Sequence, residues 1–147
     1  MSAERPIHEL ADEMASACLA GHARLLSRLL TNRYEATVAP LGLTIARVLL
    51  LGAVAKHGKV TPSVLAEQLG FDPSTLSRNF KMLRSEGLID MAHASDGGHT
   101  VVSLTPQGES LFRQANERWR VAQREAEAAL GSRLSASVRA AARKLRD

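Results

Sequence analysis

The sequence predicts a mainly α-helical chain with one small β-hairpin. Three observations lead there. Apolar residues recur at helical spacing over most of the 147 residues. The period shortens to two only around Ile89, Met91 and His93 and around Thr100, Val102 and Leu104, on either side of Asp96-Gly97. Thr61-Pro62, Asp72-Pro73 and Thr105-Pro106 each place a capping residue before a proline, which is how helices begin.

Pro6 opens the first segment. Leu10, Met14 and Cys18 fall four residues apart, and Leu25, Leu26, Leu29 and Leu30 continue the apolar side. This predicts one helix of about 30 residues, roughly 45 Å long. A stripe that long must be buried against something, and a partner chain is one answer. Pro40 and Gly42 end it. Thr44 can cap a second, very apolar helix carrying Ile45, Val48, Leu49, Leu50, Leu51 and Val54, which should sit centrally; His57-Gly58-Lys59 closes it.

Thr61-Pro62 starts a short helix to about Leu69, with Val64, Leu65 and Leu69 inward, and Gly70 breaks it. Asp72-Pro73 starts the next, which runs to about Glu86 and ends at Gly87. The hairpin follows. Thr105-Pro106 begins a helix to about Leu130, carrying Leu111, Ala115, Trp119, Ala122, Ala126 and Ala129. Beyond Gly131, Ser135 can cap a last helix with Val138, Ala141, Ala142 and Leu145 on one face.

Composition sets further bounds. Hydrophobic residues are 45% and charged residues 23%, as in an ordinary globular domain. A single cysteine, Cys18, excludes an internal disulfide and a multi-cysteine metal site; with His8, His57, His93 and His99 scattered, no metal or other cofactor is expected. No apolar run reaches the roughly 18 residues of a membrane span, and Met1 to Ile7 is polar with no secretory core behind it. The expected compartment is the cytoplasm. Aromatic residues are only 3%, too few for a base-stacking platform on single strands.

The net charge is +4. Residues 1–43 carry 4 basic and 5 acidic groups, 44–105 carry 6 and 5, and 106–147 carry 9 and 5. Two short helices joined at a glycine and followed by a hairpin make a winged helix-turn-helix, which lays its second helix in the DNA major groove. On that helix Leu76, Phe80 and Leu83 project to one side. Ser74, Arg78, Lys81 and Ser85 project to the other, flanked by Thr75 and Ser77, with no carboxylate among them. Arginine can donate two bonds to a guanine, and hydroxyls can bond bases or phosphates.

The run DPSTLSRNFKML from Asp72, then Glu86-Gly87-Leu88-Ile89, then Val102-Ser103-Leu104-Thr105-Pro106-Gln107-Gly108, resembles the MarR family of regulators over almost the whole chain. The resemblance implies a winged helix-turn-helix over 44–105. Helices in 1–43 and 106–147 would form the dimerisation region. It also implies a homodimer on a pseudo-palindromic duplex operator, usually a repressor released by a small molecule. No enzymatic activity is expected, since the sequence has no paired-carboxylate signature, no phosphate-cradling glycine motif and no nucleophile–base arrangement beyond Cys18 and His22. Carried over by position, Ser74, Thr75, Ser77, Arg78 and Lys81 would read DNA, with Thr61 and Ser63 beside phosphate. In the wing Asp96 matches the family, but Gly98 stands where an arginine is usual, and His99 follows one position later as a weaker wing contact.

Two regulatory sites are suggested. Cys18 and His22, one helical turn apart, could form an oxidisable pair, as in redox-sensing branches of the family. Arg24, Arg28 and Arg47 could hold an acidic ligand among the first, second and recognition helices. A winged helix used as a protein-interaction module is the alternative, favoured by the Gly97-Gly98 wing.

Overall fold

The computed structural model describes residues 4–95 and 97–146. Helices α1 (Ile7–Ala17) and α2 (Leu19–Val38) lead through a 3-10 turn, Ala39–Leu41, into α3 (Ile45–His57). Then come α4 (Pro62–Leu69), α5 (Pro73–Ser85), β1 (Ile89–His93), β2 (Thr100–Leu104), α6 (Pro106–Leu130) and α7 (Ser132–Lys144).

Helix α3 is the hub. Val48, Leu50, Leu51 and Val54 are buried, and the helix touches α2, α4, α5, α6 and β2. Leu65 of α4, Leu76, Phe80 and Leu83 of α5, Ile89 and Val102 complete the core around it. The Thr44 hydroxyl caps α3 by accepting from Arg47 N, and Gly58 closes it at φ 72°. The Glu35 carboxylate accepts from Ile45 N, a second cap supplied by α2.

The hairpin pairs Ile89 with Leu104 and His93 with Thr100. Val60 adds a one-residue third strand by exchanging both backbone bonds with Val102. A single residue between a helix end and a cap carries no periodicity, so residue patterning does not reveal this bridge.

Four expectations are corrected. The first long helix is two helices, because Cys18 leaves helical geometry (φ −68°, ψ 106°). Its Sγ accepts from Gly21 N and its carbonyl bonds to His22 Nδ1, local bonds that compete with helix continuation. No residue of α1 is buried, so no packing opposes the break. Val64 faces outward because an eight-residue helix buries one narrow stripe, here centred on Leu65. Thr61 precedes α4 without capping it by its side chain. Helix α7 begins at Ser132, and Ser135 lies inside it, buried, donating to Gly131 O.

The start of α6 packs directly on the backbone of Leu88, between α5 and β1. A Cβ at Gly108 would lie 1.9 Å from the Leu88 carbonyl oxygen, so only glycine fits without a backbone shift. We expect Gly108→Ala to cost about 3 kcal/mol or more in denaturant unfolding. A loss below about 0.5 kcal/mol, the range of an ordinary surface substitution, would show that α6 moves freely there.

Candidate nucleic-acid interface

Helices α4 and α5 meet at a turn through Gly70, in the left-handed region at φ 65°. Asp72 then fixes the start of α5. One carboxylate oxygen accepts from Thr75 N at 2.8 Å and from the Ser74 hydroxyl at 2.6 Å; the other accepts from the Thr75 hydroxyl at 2.6 Å. These bonds, the Ser74 and Thr75 hydroxyls first, hold the Asp72 carboxyl well below the usual carboxylate range. Both hydroxyls, expected from the sequence to contact DNA, donate their protons to this cap.

Ser77, Arg78 and Lys81 remain exposed along α5, and neither cation makes an ion pair among the described residues. Ser63, Ser77 and Lys81 share a groove of ≈ 990 Å³ between the start of α4, α5 and β1, with Arg84 and Met91 beside them. Arg84 went unassigned in the sequence, although it follows Lys81 at a helical step of three. Arg78 lies outside the groove. Thr61 shares its hydroxyl with Ser63 at 3.2 Å, so those two act together.

The wing tip carries Gly97 and Gly98 at φ 115° and 116°, a backbone conformation L side chains rarely adopt. His99 is exposed, its carbonyl accepting from Ala94 N. Asp96 lies outside the described residues.

Residues 41–98 match a model of the MarR family. Over that segment the chain is similar to the MarR family, and its fold is the winged helix of the solved structures it resembles. A cysteine-to-serine variant of MarR from E. coli, complexed with operator DNA, superposes with a TM-score of 0.79 at 18% identity, over 90% of this chain and 96% of that one. The M. tuberculosis regulator MosR, in complex with DNA, is 28% identical with a TM-score of 0.72, over 88% of this chain and 99% of its own. An M. tuberculosis MarR family protein complexed with p-aminosalicylic acid gives 0.67 at 20% identity, over 89% and 100%. No curated protein sequence matches significantly. MarR family proteins are transcription regulators. Among the described residues no single helix is long and apolar enough to cross a membrane, and no cluster of three or more His, Cys, Asp or Glu is placed to hold a metal.

The other predicted sites come apart on this scaffold. Cys18 and His22 are close, but the imidazole bonds the Cys18 carbonyl and the thiol caps α2. Arg24 and Arg28 line a shallow depression on α2 with Gly21 and Leu25. Arg47 is elsewhere. Its side chain is only 6% exposed, with Nη2 donating to Glu86 Oε1 at 2.6 Å and Nη1 to Gly42 O at 3.1 Å. Its Nε is buried without a partner, which costs about 1–3 kcal/mol. Trp119 is half-buried between two cavities, one also lined by Leu26, Leu30 and Val138, the other by Phe112 and Lys56.

The depressed Asp72 carboxyl gives a pH signature. A carboxylate with a lowered folded pKa contributes its stability fully above the unfolded value, about 4, and loses it as pH falls through the folded one. Wild type should therefore melt higher than Asp72→Asn at neutral pH, and the gap should close in strong acid. A gap in thermal melts that stays constant over that range would remove the carboxylate from the cap.

Proposed function

We propose that this chain is a dimeric transcription regulator that binds duplex DNA through α5 and is a repressor released by a small-molecule ligand. Residues 44–105 form the DNA-binding unit, and the helices of 1–43 and 106–147 form the dimerisation region. The observation that carries the reading is the exposed face of α5. Ser77, Arg78 and Lys81 stand on it without ion pairs, on a scaffold similar to two regulators whose structures contain DNA. A solvated helix would ordinarily mix signs; a face bearing cations and hydroxyls suits phosphate and base edges.

Ser63 and Thr61 stand at the start of α4 beside that groove, where helix N–H groups favour an anion. Ser74 and Thr75 act here as parts of the cap that orients α5, with oxygen lone pairs left for contact. Support for a small-molecule ligand comes from the family protein bound to p-aminosalicylic acid. The Cys18 thiol caps α2 while the His22 imidazole bonds the Cys18 carbonyl, so no contact between imidazole and thiol supports a redox pair.

The deciding experiment is fluorescence anisotropy of the protein against duplex DNA from its own upstream region, beside a scrambled duplex, at two salt concentrations. Salt-sensitive binding that prefers the native duplex supports the regulator. Equal, weak binding to that duplex and to duplexes selected from a random pool would put the protein-interaction reading in its place. Arg78→Ala should lose about 1–3 kcal/mol of specific binding. Lys81→Ala should weaken both duplexes alike and lower the salt slope by about 1.

The wing supplies a separate check. His99→Arg should tighten binding and steepen the salt slope by about 0.9 for one added phosphate contact. Gly98→Arg should gain less, since its positive φ penalises a side chain by about 1–2 kcal/mol. Unchanged affinity and slope in both variants would show that the wing stays off the DNA.

A further inference from the structure

We infer that Arg47 is a positioning residue that fixes the recognition helix relative to the end of α2, and so sets the half-site spacing that the dimer accepts. The inference rests on the proposed DNA-binding function.

Arg47 is the one buried cation among the described residues. From the middle of the molecule it grips two helix ends. Nη1 donates to the carbonyl of Gly42, the positive-φ residue that turns the chain from α2 into α3. Nη2 donates to Glu86, the C-cap of α5. The guanidinium is planar and rigid, so the two bonds set a fixed distance between those ends. Its positive charge also suits the negative C-terminal end of α5.

The same end of α5 is held on its other side by α6. Thr105 donates its hydroxyl to Gly87 O, and the Gln107 amide donates to Glu86 O. Leu76, Phe80 and Leu83 pack α5 into the core, and Arg47 adds a polar link from the end of α5 to the α2–α3 turn. Stability is a poor reason for this arrangement. The buried Nε is unpaired, and an apolar side chain of similar volume serves a core as well or better. Geometry is the better reason. A two-fold dimer places its two recognition helices about one DNA turn apart, roughly 34 Å. With α2 in the dimerisation region, the α2-to-α5 distance sets that separation.

The test measures spacing preference. Wild type first selects an operator from a randomised duplex pool. Binding is then measured on that operator and on versions with the centre lengthened or shortened by one base pair. Wild type should lose about tenfold or more on the altered spacings. Arg47→Met and Glu86→Ala should lose less than about threefold on the same change, with the salt slope retained. Glu86→Gln, which keeps an acceptor for the guanidinium, should restore the wild-type profile. Glu86 is 43% exposed, so its variants report even where Arg47→Met fails to fold. Identical spacing profiles in wild type, Glu86→Ala and Glu86→Gln would overturn the positioning role while leaving the DNA-binding function standing. A wild type that selects no duplex would overturn both.

Discussion

The Leu88 carbonyl sits where a side chain at position 108 would have to be. That close approach joins three parts of the molecule at one point. Leu88 N bonds back to Leu83 O at the end of α5, and Leu88 O accepts from Thr105 N at the start of α6. The Thr105 hydroxyl donates to Gly87 O and accepts from Gly108 N. The recognition helix, the first wing strand and the longest helix therefore share one hydrogen-bonded joint. A side chain there would push α6 away from α5 and break all three links together. The rest of the winged helix inherits its geometry from this joint, with Leu83 and Ile89 buried on either side of it.

The terminal helices are governed by surface that the core leaves open. Ile7, Met14, Leu19 and Leu145 are each more than two-thirds exposed, and Leu25, Leu29 and Leu134 about half. They lie on α1, α2, the last helix and just beyond it, while α3 buries most of its apolar length. Burial stabilises by about 25 cal/mol per Å² of apolar surface removed from water. Covering these residues with a second copy would thus give the terminal helices the packing that holds them. It is the packing expected from the apolar stripe of the sequence and it enters the proposed function as the dimerisation region. The break at Cys18 fits the same physics, since a stripe with nothing against it leaves local bonds free to decide the backbone.

Most of the fold was legible because it is written in short-range chemistry. Thr44, Asp72 and Thr105 cap where their side chains and following residues said they would. The hairpin register follows from alternation around a glycine turn. What escaped was of two kinds. Single-residue events, such as the Val60 bridge and the departure of Cys18 from helix, are too short to make a period. Contacts between distant segments, such as Arg47 with Glu86 or Glu35 with Ile45 N, depend on how helices cross. The site was legible by residue type but not by use. Arg78 and Lys81 are exposed as the pattern required, whereas the Ser74 and Thr75 protons turn inward to Asp72, a bond that the cap signal itself implied. Arg47 was read as a ligand contact because a lone arginine on an apolar helix looks unpaired until its partner, 39 residues away, is in view.

The proposed interface divides its labour unevenly, and the reason is electrostatic. A cation at the wing would have added phosphate attraction independent of sequence, and Gly97-Gly98 supplies none. The acidic cap of α5 adds a negative charge close to the reading face, offset locally by the hydroxyls and amide that bind it. Non-specific attraction per subunit is therefore modest. Under those conditions discrimination depends on holding two recognition helices at once in the right places, since a second bound half-site multiplies affinity only when geometry permits both. Rigid placement of α5, through the Leu88 joint on one side and the Arg47 guanidinium on the other, supplies that geometry. A buried charge with an unpaired nitrogen is a tolerable cost where orientation, more than attraction, decides which duplex is kept.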